Sequence, residues 1–172
     1  LPEAIQKKKR VLLARLSAAT LVGGKQFEDA LEAVRSNLPN DPCLDFVLLD
    51  YYFLRGQYGE MRAGIDRIDA QLGGDTYQDA RRGLAYMMEK NYEMARKCAQ
   101  KAIDAEGTLK LPYFVLLQVS LMEKNFDESL RLLTVMETKS FLKDPDLTSL
   151  PIYAEFVKSP QYQTWLNRAK EK

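Results

Sequence analysis

Histidine is absent from the sequence, which removes the commonest general base and the commonest neutral metal ligand together. A serine activated by histidine cannot exist, zinc chemistry is not expected, and no other metal or cofactor is implied. Cysteine is scarce: Cys43 and Cys98 fall in different helical segments, and two cysteines do not mark a disulfide framework. Both are expected as ordinary packed thiols. Neither sign of charge prevails, with 25 Lys plus Arg against 24 Asp plus Glu, so no long-range field steers the chain to nucleic acid or an anionic membrane. Long apolar runs are missing as well. The stretch "FVLLDYYFL", Phe46 to Leu54, is interrupted by Asp50 and falls far short of the roughly 20 residues of a membrane span. No membrane insertion is expected.

What is present favours helix. Gly is 9 and Pro 7, while Ala, Leu, Glu, Lys, Gln, Arg and Met dominate. Alternating β-branched runs are absent, and no Gly-rich loop precedes a strand. The chain is long enough to bury roughly 70% of the surface its unfolded form exposes, so it needs no metal or disulfide to fold. One domain is the default. The first residue is Leu1 rather than Met, which suggests a mature or excised part of a longer product; the compartment is unknown.

The stretch "KNYEMA" at Lys90 has relatives at "KNFDES" (Lys124), "GQYGEM" (Gly56) and "KQFEDA" (Lys25). Their aromatics Phe126, Tyr92 and Tyr58 stand 34 residues apart, and Phe27 precedes Tyr58 by 31. That period marks a stacked helical array. Downstream of Tyr92, Ala95, Cys98, Ala99, Ala102 and Ile103 keep helical spacing, with Arg96, Lys97, Gln100, Lys101 and Asp104 on the other side. A second helical stretch precedes each aromatic, across a short polar join: "GGKQ" at Gly23, "RGQ" at Arg55, "EKN" at Glu89 and at Glu123. Joins that short force antiparallel neighbours.

Helix-breaking segments at "LPNDP" (Leu38), "LGGD" (Leu72), "EGTLKLP" (Glu106) and "KDPD" (Lys143) divide the chain into four hairpins, about 11–41, 42–75, 76–109 and 110–143. Asp75 reads as an N-cap and Pro112 as a first-turn proline. A hairpin cannot cover its own apolar face, so stacking supplies the core, and the aromatic opening each second helix is expected to fill the gap beside its partners.

The third unit resembles a tetratricopeptide repeat: Gly83 and Tyr86 in the first helix, Tyr92 and Ala95 in the second, then Ala102. The second unit keeps Tyr52 and Tyr58 but carries Leu49, Met61 and Ile68 where the family has small residues. The fourth keeps Tyr113, Leu116, Phe126 and Ser129 but departs at Leu117, Ser120 and Met136. The first keeps Ala18, Phe27 and Ala30. The resemblance implies an all-α superhelix of about four helical hairpins over residues 1–143. From 144 to 172 the period breaks, and one short helix after Pro151 and another after Ser159–Pro160 are expected as a C-terminal cap. The alternative is that this segment folds back into the groove.

In that family the first helices line a concave groove that receives peptides. Carried over by helical phase, the partner-binding set implied here is Phe46, Asp50 and Phe53, then Tyr77, Ala80, Arg81, Leu84 and Met87, then Phe114, Gln118 and Leu121. Arg15, Ala19 and Val22 of the first unit, Cys43 of the second and Leu111 of the fourth would continue it. The lining is mostly apolar and aromatic, which suits a protein contact. The expected function is therefore a non-enzymatic interaction module that binds an apolar peptide or helix of a partner protein. The alternative is a structural or self-assembling scaffold element whose groove is filled by its own C-terminal segment; the oligomeric state is left open. The Lys, Asn and Arg arrangement that grips a carboxylate tail in one branch of the family is missing. "KKKR", Lys7 to Arg10, reads as a solvated helix face, and without a second basic cluster RNA binding is not expected. Acidic pairs such as Glu28 with Asp29 and Asp127 with Glu128 complement helix N-termini.

Overall fold

A computed structural model of the chain describes residues 3–142 and 146–170. The Lys143 to Pro145 part of the last predicted break lies outside them. The chain divides into two compact units, residues 1–75 and 76–172.

The first unit holds α1 (Glu3–Val22), α2 (Gly24–Asn37), α3 (Pro42–Leu54) and α4 (Tyr58–Leu72). α1 pairs with α2 and α3 with α4, and the first helices α1 and α3 also pack together. Leu16, Ala19, Phe27, Val34 and Leu48 form its core cluster, while Leu49, Met61, Ile65 and Ile68 are also buried. The Phe27 ring stacks on Tyr51 with centroids 3.7 Å apart, so the aromatic of α2 reaches the next hairpin. Asp41 caps α3 by accepting from the Cys43 amide at 2.9 Å, with Pro42 preset in the first turn. The same carboxylate accepts from Lys9 Nζ at 2.6 Å, tying the start of α1 to the start of α3. Lys9 is thus not a purely solvated member of the basic run, while Lys8 and Arg10 are exposed.

The second unit holds α5 (Thr76–Met88), α6 (Tyr92–Ala105), α7 (Lys110–Met122) and α8 (Phe126–Thr138). Short 3-10 turns follow at Leu147–Ser149, Pro151–Tyr153 and Phe156–Lys158, then α9 (Pro160–Lys170). α5 pairs with α6 and α7 with α8, while α7 also packs on both helices of the preceding hairpin. Small residues make the α5–α6 contact close: a Cβ on Gly83 would stand 3.2 Å from the Ala95 carbonyl oxygen and 3.3 Å from the Ala99 amide nitrogen. Asp79 of α5, nearly buried, holds Arg82 of its own helix at 3.0 Å and reaches across to Lys101 of α6 at 2.9 Å. In the fourth hairpin Ser120 and Ser129 are both buried and meet hydroxyl to hydroxyl at 2.8 Å. Each buried hydroxyl therefore helps to satisfy the other.

Three of the joins share one geometry. The middle residue is left-handed, at Gly56 (φ 69°), Lys90 (φ 61°) and Lys124 (φ 57°). The amide after it donates back to a carbonyl in the preceding helix: Gln57 to Tyr52 at 2.8 Å, Asn91 to Tyr86 at 2.9 Å, Asn125 to Ser120 at 2.8 Å. This closes the first helix. The same side chain that ends the join then caps the second helix in two of them, Asn91 accepting from the Met94 amide and Asn125 from the Glu128 amide.

The C-terminal segment packs on the last hairpin, α9 against α8 and the Pro151–Tyr153 turn against α7. Its Leu147, Tyr153, Phe156, Tyr162 and Trp165 join the core of the second unit, and the Phe126 ring meets Phe156 edge to face at 5.7 Å. Ser159 Oγ accepts from the Tyr162 amide at 3.3 Å, so Ser159 and Pro160 start α9 as their sequence suggests.

Candidate binding face on the first helices

The α5 face follows from helical spacing. Tyr77, Arg81 and Leu84 recur at intervals of four and three residues, and α5 lies beside α7, which carries Phe114 and Gln118 four residues apart. Tyr77 is 45% exposed, and the Arg81 guanidinium stands over its ring at 5.9 Å, a contact that orients both groups. Leu84 and Phe114 are half-buried on the core beneath, and Gln118 is half-buried. The result is an apolar and aromatic face with one cation and one amide.

Three residues of the expected set on α5 and α7, besides Ala19 of α1, do not present surface. Ala80 is fully buried, and Met87 and Leu121 nearly so. The reason is angular: a helix packed between neighbours turns only a narrow stripe outward, and these three lie beyond its edge. Leu121 lines a hollow with Met122, Phe126, Pro151, Ile152 and Phe156, so the C-terminal segment lies along that end of α7.

In the first unit Phe46 and Phe53 are half-buried and Asp50 is exposed. Asp50, Phe53 and Leu54 of α3 line a hollow of about 340 Å³ with Ser17, Thr20 and Leu21 of α1. Phe53 also meets the Tyr58 ring edge to face at 6.1 Å. The expected α1 contribution is corrected here: Arg15, Ala19 and Val22 line a different hollow, shared with Gln26, Asp29, Ala30 and Ala33 of α2. Arg15, Ala19 and Val22 already stand 31 residues before Phe46, Asp50 and Phe53, so the shortened interval does not restore the phase, and Ser17, Thr20 and Leu21 meet α3 instead.

Besides Val22, three apolar side chains at these helix ends were outside the expected set. Val22, Leu54, Met88 and Met122 are each the last residue of a first helix, and each is an exposed large apolar side chain. An apolar residue directly before every polar join was the available signal. Among the described residues, no group of three His, Cys, Asp or Glu side chains could hold a metal ion, and no helix is long and apolar enough to cross a membrane.

Fold and face together define an all-α protein of paired, hairpin-like helices, a scaffold able to present a face. No protein-family model matches the chain, and comparison with curated proteins gives no match.

Proposed function

We propose that the protein is a non-catalytic interaction module of tetratricopeptide-like hairpins whose first-helix faces receive an apolar segment of a partner protein. The observation that carries this is the α5–α7 face, where Tyr77, Leu84 and Phe114 stay partly open although a closed core lies directly beneath them. Apolar side chains left open beside an oriented Arg81 suit a partner's apolar residue flanked by an acceptor. Asp50 and Phe53 give the first unit a comparable hollow. The kinship with the tetratricopeptide family is supported by helix starts at Pro42, Thr76 and Lys110, by the buried Gly83, Ala95 and Ala102, and by the repeated join geometry.

Affinity capture from a lysate, with the natural chain beside a Tyr77→Ala variant of unchanged circular dichroism, tests the reading. Loss of a captured partner, with binding weakened by about 2 kcal/mol when remeasured on purified components, is the hot-spot result. Identical lists from the two baits would sink this face. Tyr77 suits the test better than Ala80, where any larger side chain would disturb packing before it blocked a ligand.

A further inference from the structure

A second cleft, unrelated to the first-helix face, opens within the first unit. It has a volume of about 550 Å³ and lies between the end of α2, the turn that follows, α3 and α4. Leu38, Leu44 and Leu48 give it an apolar floor, and Arg35, Tyr52, Glu60 and Arg67 stand around it. The size is that of a small-molecule site.

The charges around the cleft are unequally satisfied. Asp45 accepts from Arg67 Nε at 3.0 Å and from Nη2 at 2.6 Å, which fixes the plane of that guanidinium and leaves its other N–H groups available. Asp41 is committed to Lys9 and to the Cys43 amide. Arg35 has no ion pair and the Tyr52 hydroxyl no hydrogen bond among the described residues. Burial pushes the Tyr52 hydroxyl pKa up, so it is a neutral donor at physiological pH. Arg35, Asp45, Glu60 and Arg67 line the same cleft as Tyr52. The exposed Arg35 guanidinium, the remaining N–H groups of the Asp45-paired Arg67 and the Tyr52 phenol are thus the donors open to a ligand above an apolar floor. Glu60, exposed in the first turn of α4, adds one negative charge and disfavours a polyanion such as a phosphate ester.

We propose that this cleft binds a small monocarboxylate with an apolar body, of the size of a medium-chain fatty acid. Arg35, Arg67 and the Tyr52 hydroxyl take the carboxylate, and Leu38, Leu44 and Leu48 take the chain.

Octanoate titrated into the full chain, followed by amide chemical shifts, is the test. A saturable response among residues 35–71 is expected, with octanol at least fivefold weaker. Arg35→Gln, at an exposed position, should weaken octanoate at least fivefold while leaving helical content unchanged. Glu60→Gln should tighten it, an opposite sign that no general loss of folding can imitate. Octanol binding as well as octanoate, octylammonium binding in preference to it, shifts centred outside the cleft, or indifference to both substitutions would overturn the proposal.

Discussion

Lys90 and Lys124 hold the left-handed conformation that Gly56 holds in the second hairpin, and for a residue with a Cβ that conformation is strained by about 1–2 kcal/mol. Lys90 is exposed, so nothing but the backbone is at stake. Lys90→Gly should stabilise the protein by about 0.5–1 kcal/mol, after the entropy that glycine adds to the unfolded chain is subtracted. Urea denaturation reads this directly, and a destabilised variant would contradict the geometry of the join. Gly83 is the opposite case. Its neighbours at 3.2 and 3.3 Å are backbone atoms of α6, which cannot yield as a side chain can. Gly83→Ala should therefore force α5 and α6 apart and cost about 1–3 kcal/mol, although alanine is the better helix former by about 1 kcal/mol.

Among elements, the link between α1 and α3 depends on pH. Burial alone would push the Asp41 carboxyl pKa up, but the Lys9 ammonium and the Cys43 amide outweigh it and hold the carboxyl below its ordinary value. Lys9 is raised in turn, chiefly by its hydrogen bond to Asp41. A carboxyl depressed in the folded state contributes stability that is present above its unfolded pKa of about 4 and is lost as pH falls through the folded value. The raised ammonium contributes below its unfolded pKa and loses that contribution as pH rises through the higher folded one. Asp41→Asn should lower stability at neutral pH and flatten the acid limb of the stability curve, with the two proteins converging as pH falls below about 4 and through the depressed folded value. Chemical denaturation across that range checks it. Parallel acid limbs would mean that the contact is fully screened in solution.

Across the whole chain, the two units are unequally packed. α7 buries Tyr113, Val115, Leu116, Leu117, Val119 and Leu121, with neighbours in α5, α6, α8 and the C-terminal segment. α1 packs on α2 and α3 and leaves Leu21 76% and Val22 66% exposed at its end. Amides inside α7 should exchange with solvent at least about tenfold more slowly than those in the last turns of α1, since protection follows local burial. Hydrogen exchange resolved by residue measures the ratio. Equal protection would show that α1 opens only when the rest of the chain does.

The sequence by itself determined the helices, their joins and their pairing into hairpins. Periodic apolar residues, Pro42 and Pro112 in first turns, Gly56 within its join and Asn91 and Asn125 at the caps act through residues a few places away. Tertiary structure decided how each helix is rotated about its own axis, and so which side chains stay open. Ala80 lies one residue from the accessible Arg81 yet is buried, and Arg15 was expected beside α3 but lies over α2. The cleft beside Tyr52 belongs to the same class, because its walls come from α2, α3 and α4 and no one segment contains it. Helix formation is set by neighbours in sequence, while rotation is set by the volume of partners far along the chain, which local periodicity does not encode.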